Sequence, residues 1–318
     1  MRLIVHGARG SYPTSGDSGR IQEILRWAWN FFAQNKFESW EAAQAAMAQK
    51  SFSNWKTYGG HTTCIEIQSG AHDKIPLMID AGTGLGEAVK NPRSYLFQAE
   101  YMRGMGRANF LITHTHWDHV IALPTFTPLF VPGNEFHFYS PIKDLGKRFE
   151  ALFDERFFPV KYKTVEPQII VHTVKEDQPF EVEDFQVTAT RQNHPGASYR
   201  YRIESQGKSF VFASDIEINT HEAGSVNPDV NSADVLMMDA QYFPEDFKPG
   251  FGHSHFQDVV DYAVTNSVKA LYLCHLNPEY SDKQLDIQIR RAQQHLEEAH
   301  SGSGLKVHMA YQGLEIEL

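Results

Sequence analysis

The sequence predicts a layered α/β sandwich, with stacked sheets inside and helices outside. Three observations lead there. Short apolar or alternating runs that read as strands recur along the chain, helical periodicities lie between and after them, and no tandem repeat, low-complexity tract or Pro/Gly-rich linker divides the 318 residues. Hydrophobic residues make up 42% of the chain and charged residues 21%, enough apolar material for a substantial core, so residues 1–318 read as one domain.

In chain order, Leu3, Ile4 and Val5 form the apolar centre of a strand over 2–6, too short for the apolar core of a signal peptide. Ile21, Ile24, Leu25, Ala28 and Phe32 then recur at helical spacing, with Trp27, Trp29 and Phe31 on other faces. Ser39 is placed to cap a second helix over 40–50. Residues 20–55 therefore read as a helical insertion between strands, either a lid over a site or a dimer contact. Strands follow at 63–68, 77–80, 110–113, 135–139, 168–172, 185–190, 199–204 and 209–213. The runs 235–238 and 271–274 are apolar and end in a polar residue, which suits strands buried on both faces. Helical patterns occupy 141–153, 255–264 and 282–299.

The formal net charge is −10 with His neutral, which argues against a nucleic-acid binder, since phosphate contacts depend on clustered Lys and Arg. Cys64 and Cys274 are the only cysteines, so no disulfide framework is expected and a reducing compartment fits. No long uncharged span points to a membrane, and the expectation is a cytoplasmic protein.

The chemistry concentrates in His114-Thr115-His116-Trp117-Asp118-His119, directly after the strand at 110–113. Alternation places His114 and His116 on one side as the chain leaves the strand, and a turn brings Asp118 and His119 back toward a second ion. Imidazole and carboxylate donors suit zinc, and also manganese or iron. Three more candidates sit at strand ends. His194 precedes the turn pair Pro195-Gly196, Asp215 follows the strand at 209–213 with two oxygens able to bridge two ions, and His275 follows 270–274. Alternation turns Cys274 away from His275, into the core. Together with the first cluster these supply the ligands of a two-metal site.

The HxHxDH pattern of residues 114–119 resembles the metallo-β-lactamase superfamily. Gly7-Ala8-Arg9-Gly10-Ser11, Tyr58-Gly59-Gly60-His61-Thr62 and Asp80-Ala81-Gly82-Thr83-Gly84 resemble motifs of its phosphodiesterase-like branch, and Phe251-Gly252-His253-Ser254 with Leu273-Cys274-His275 is similar to ribonuclease Z-like members. The resemblance implies a four-layer αββα sandwich with the site at one edge of both sheets. It implies one metal on His114, His116 and His194, a second on Asp118, His119 and His275, and Asp215 shared between them. His61 and His255 depart from the branch's pattern, where Asn and Thr are frequent, without removing a ligand.

The function implied is hydrolysis of a small phosphodiester, a small or cyclic nucleotide, by a hydroxide held between two divalent ions. Asp118 would orient the attacking oxygen, and His253 would contact the phosphate or protonate the leaving oxygen. Arg9 would either contact an anionic substrate or pin its own loop. The alternatives are a tRNA 3′-processing endonuclease, a lactone or thioester hydrolase, and an iron-dependent oxidoreductase on the same fold.

Overall fold

The computed structural model describes residues 1–16, 18–70, 74–165 and 168–318. In chain order, strands β1 (Arg2–Gly7), β2 (Cys64–Gln68), β3 (Leu77–Ile79), β4 (Arg107–Leu111), β5 (Glu135–Ser140) and β6 (Ile169–Thr173) build one sheet. The second sheet is β7 (Phe180–Val182), β8 (Phe185–Gln192), β9 (Ser198–Ser205), β10 (Lys208–Ala213), β11 (Val235–Asp239), β12 (Ala270–Cys274) and β13 (Lys306–Met309). Finally β14 (Glu315–Glu317) returns to lie outside β1.

Both sheets share one plan. The pairings from β14 through β1 and β2 to β3, and from β7 through β8 and β9 to β10, are antiparallel. Those from β3 to β6 and from β10 to β13 are parallel. Parallel neighbours need crossovers, and helices supply them. The helices are α1 (Ser18–Gln34), α2 (Trp40–Ala48), α3 (Leu85–Ala88), α4 (Ala99–Met102), α5 (Trp117–Val120), α6 (Leu145–Leu152), α7 (Thr220–Ala223), α8 (Phe256–Thr265) and α9 (Asp282–Ala299). Thus α6 joins β5 to β6, α8 joins β11 to β12, and α9 joins β12 to β13, giving the expected αββα sandwich. No helix among the described residues is long and apolar enough to cross a membrane.

Local chemistry explains the boundaries. Ser39 accepts a hydrogen bond from the Ala42 N–H and starts α2, as its position predicts. Ser281 and Gln284 form a reciprocal capping box that starts α9. The periodicity at 141–153 overshoots, because residues 141–144 form a bend and turn and α6 begins only at Leu145. Strands β7, β13 and β14 lie outside the runs read as strands. They are three or four residues long, and polar residues occupy part of each.

The apolar filling lies between and around the sheets. Phe110 of β4 is fully buried, stacked on Phe138 at 4.8 Å and edge-on to Phe126 and Phe136. The sheets are stitched at the ends that carry the site. Tyr201 of β9 donates its hydroxyl hydrogen to the Ile112 carbonyl just beyond β4 at 2.8 Å, and the Tyr199 N–H donates to Thr113 O. On the other side, the Leu276 N–H donates to Ala8 O and the Gly10 N–H to Leu276 O, joining the segment after β12 to the one after β1.

The insertion packs beside the start of α9, where Arg20 Nε donates to Asp282 Oδ2 at 3.0 Å. Trp27 stacks on Phe31 inside it, while Ile21, Leu25, Trp29 and Phe32 form an exposed apolar face of α1. Replacing Phe110 by Ala removes a fully buried ring packed against Phe126, Phe136 and Phe138, so the expected loss of stability is about 3–5 kcal/mol. Urea denaturation of Phe110→Ala measures it; a loss under about 1 kcal/mol would show the core is not organised around this ring.

Candidate metal centre and active site

The site forms where parallel strands end. Asp80 follows β3, His114 follows β4, Asp215 follows β10, Asp239 is the last residue of β11, and His275 follows β12. In open parallel sheets this is where a crevice gathers side chains from different strands. His194 arrives from the turn between β8 and β9, and Asp118 and His119 from α5.

Backbone geometry turns these residues inward. Asp80, Asp215 and His275 have φ of 58°, 56° and 54°, the left-handed region that non-glycine residues seldom adopt. Such strain collects at sites where the surroundings over-determine the conformation. Two glycines allow the close approach. A Cβ on Gly10 would lie 2.3 Å from the His275 ring, and one on Gly252 (φ 83°) 2.2 Å from His194 Nδ1.

All seven side chains marked in the sequence as ligands come together in two groups. His114, His116, His194 and Asp215 place donor atoms within 4.8 Å of one another, as do Asp118, His119, Asp215 and His275. Asp215 belongs to both. His119 Nε2 lies 3.2 Å from Asp118 Oδ2 and 3.0 Å from Asp215 Oδ2, and His114 Nε2 lies 3.6 Å from Asp215 Oδ1. Neither nitrogen makes a hydrogen bond, although both are buried. Buried imidazole nitrogens left without a hydrogen bond beside carboxylates fit a shared metal ion, and an imidazole–carboxylate set fits a divalent transition metal.

The opposite ring nitrogens are engaged elsewhere, which fixes tautomer and orientation. His119 Nδ1 bonds Asp80 Oδ2 at 2.7 Å, and His194 Nδ1 donates to the Gly252 carbonyl at 2.9 Å. Asp80 also accepts from the Thr113 N–H and hydroxyl, each at 2.8 Å. Asp118 Oδ2 accepts from the Ser11 N–H at 2.8 Å. His253 Nδ1 lies 2.7 Å from Asp239 Oδ2, and its ring stacks on His275 at 4.8 Å. Asp239 holds the Gln241 N–H on its other oxygen.

Asp80 and Asp239 were not singled out as functional residues from the sequence. The available signal was the one that marked Asp215, a carboxylate closing a short apolar strand: Leu77-Met78-Ile79-Asp80 and Val235-Leu236-Met237-Met238-Asp239.

Charge and burial oppose each other throughout. Burial works against the charged form of His275, yet Asp215, Asp118 and Asp239 lift its pKa to about 9. His119 is likewise raised well above the usual range, against burial, by Asp215, Asp118 and Asp80. Burial favours the neutral acid at Asp215, but His119, His275 and His114 hold its pKa well below the usual carboxylate range. Burial pushes His114 well down, so that ring is neutral and its lone pair free.

Ser11, Thr115, His116, Trp117, Asp118, Asp215, His253 and His275 line a cleft of about 450 Å³ over the cluster. The Trp117 side chain is 74% exposed at its rim. Arg9 does not line this cleft. Its buried guanidinium donates to the carbonyls of Gly59, Asn277 and Tyr280 and sits 3.5 Å from Asp282, contacts that pin the loop, the second of the two roles the sequence allows. His61 rests on Thr83, and His255 stands at the start of α8 beside Asp258, both outside the cleft. The residues that line the cleft do not include any of 20–55.

A family model described as "Beta-lactamase superfamily domain" matches residues 77–276. A ribonuclease Z from Saccharolobus solfataricus is 30% identical over 82 residues, which span 26% of this chain and only 27% of that relative. Among solved structures, the metallo-beta-lactamase fold protein YhfI from Bacillus subtilis aligns with a TM-score of 0.63 at 16% identity, covering 100% of this chain and 99% of that one. Unliganded yeast PDE1 aligns with a TM-score of 0.68 at 11% identity, covering 100% and 99%. At these identities the structural likeness is one of fold.

Two outcomes test the site. Asp80→Asn weakens the hold on His119 Nδ1, and zinc affinity should fall about 10- to 100-fold in a chelator competition; unchanged affinity would show that Asp80 does not govern His119. Without metal, His119 and His275 are protonated at pH 7, and a metal needs both lone pairs. Zinc uptake should therefore release protons and tighten as pH rises toward about 9. Calorimetry in buffers of different ionisation enthalpy reads this; a heat independent of buffer would contradict it.

Proposed function

The chain belongs to the beta-lactamase superfamily, whose members are metal-dependent hydrolases, and on that premise we propose that it is a phosphodiesterase acting on a small or cyclic nucleotide. The observation that carries this reading is His253. It lines the cleft over the metal cluster with Nδ1 held by the buried Asp239, which leaves Nε2 as the nitrogen for a substrate oxygen.

One ion would be held by His114, His116 and His194 and the other by Asp118, His119 and His275, with Asp215 common to both; zinc suits these donors, as do manganese and iron. When bound, the pair supplies Lewis-acid polarisation of a phosphoryl oxygen and a water acidic enough to attack near neutral pH. The chain's own groups do the rest. Asp118, anchored by the Ser11 N–H, would orient the attacking water. Asp239 fixes the tautomer and direction of His253, whose Nε2 would hand a proton to the departing alkoxide. Trp117 offers a flat apolar face at the rim, on which a nucleobase would stack.

That exposed indole favours a nucleotide over a lactone or thioester. The net charge of −10 favours a small anion over a long polyanion such as tRNA. The deciding experiment assays metal-loaded protein on bis-p-nitrophenyl phosphate, cyclic nucleotides, precursor tRNA and a lactone. Hydrolysis of the first two is expected, with about two metal equivalents per chain. His253→Ala should lower kcat by about 10²- to 10⁴-fold with metal content intact. Turnover of the lactone alone, or an unchanged rate in the variant, would overturn the reading.

A further inference from the structure

We infer that Asp261, His295 and His300 form a separate site for a divalent transition ion such as zinc, at the joint between α8 and α9. Asp261 lies in the second half of α8, His295 in the last part of α9, and His300 is the residue that ends α9. Their donor atoms lie within 4.8 Å of one another, and none belongs to the catalytic cluster.

The geometry is convergent. His295 Nε2 lies 2.7 Å and His300 Nε2 2.6 Å from the same oxygen, Asp261 Oδ1. The two rings stand 84° apart with centroids at 6.0 Å, so they approach that oxygen from different directions. Two imidazole nitrogens and one carboxylate oxygen are a three-ligand zinc set, with the remaining position left to water. Side-chain exposures of 20%, 27% and 34% for His295, His300 and Asp261 leave the outer side open to that water. Calcium and magnesium, which seek oxygen cages, are poor matches for two imidazoles.

An ion with ligands at roughly 2.0–2.2 Å in tetrahedral array needs N···O separations of roughly 3.3 Å. The short contacts must therefore open by a little over half an ångström, which rotation of partly exposed side chains at a helix end allows.

A second, independent observation calls for a cation here. The carbonyl end of a helix carries partial negative charge, normally countered by Lys or Arg in its last turn. The 18-residue α9 has no basic residue in its last turn and places Glu297 and Glu298 there instead. The ion pairs of Asp261 are with the two imidazoles. A divalent ion would neutralise this concentration of negative charge and clamp the far ends of α8 and α9 together. Because α8 starts three residues after His253, the clamp would also steady the element behind the cleft.

The competing reading is a plain hydrogen-bonded cluster, and zinc stoichiometry separates the two. Metal-stripped full-length protein is titrated with zinc against a chromophoric chelator. Wild type should take up one zinc per chain more than the His295→Ala/His300→Ala double variant, whatever number the catalytic cluster holds. Asp261→Asn keeps a hydrogen-bond acceptor but loses the anionic ligand, and should weaken this one zinc at least tenfold. Equal zinc counts in wild type and double variant would overturn the proposal. Should the double variant lack the wild-type circular dichroism spectrum, His300→Ala at the helix end gives the same comparison, and an equal count there overturns it as well.

Discussion

Everything at the site follows from keeping Asp215 charged at 2% exposure. A buried carboxylate alone would take up a proton or unfold its surroundings. Here His119, His275 and His114 face it, and their attraction outweighs desolvation. His119 in turn needs Asp118 and Asp80, and Asp80 needs the Thr113 N–H and hydroxyl. The partners come from the segments after β3 and β4 in one sheet and after β12 in the other, so the charge balance closes only when both sheets are in register. Tyr201, reaching from one sheet to the Ile112 carbonyl of the other, holds that register two residues from His114. Site and sandwich are one cooperative arrangement rather than a scaffold with a site added.

The strain is distributed in the same way. Three residues with left-handed backbone, Asp80, Asp215 and His275, each follow a strand and each reach the cluster directly or through one partner. Asp tolerates this region better than most residues, and His is also enriched there. The chain thus turns sharply from strand to cluster with side chains that suit both the turn and the chemistry.

Much of this was legible in the sequence because polar residues at the ends of apolar strands stand out. His114, Asp215 and His275 each close such a run, and the structure brings them together with His116, Asp118, His119 and His194. Asp80 and Asp239 close similar runs but carry one carboxylate in an ordinary context, and only the fold shows that they face His119 and His253. Arg9 looked equally fit for a substrate or a loop, since its carbonyl partners at Asn277 and Tyr280 are far away in the sequence. Strands β7, β13 and β14 escaped because they are short and half polar; pairing with a neighbour, rather than apolar content, makes them strands. The docking of the insertion beside the start of α9 rests on Arg20 meeting Asp282, another contact between distant parts of the chain.

The position of β14 bears on how the chain is made. It pairs with β1, and the Leu318 N–H donates to the Met1 carbonyl, so the strand at residues 2–7 gains its outer neighbour only when residues 315–317 have been made. Until then β1 is an open sheet edge, able to recruit a foreign strand from a neighbouring nascent chain. During translation, that edge stays open for as long as the residues between β1 and β14 take to be made, and a chaperone that shelters residues 2–7 would act over that interval.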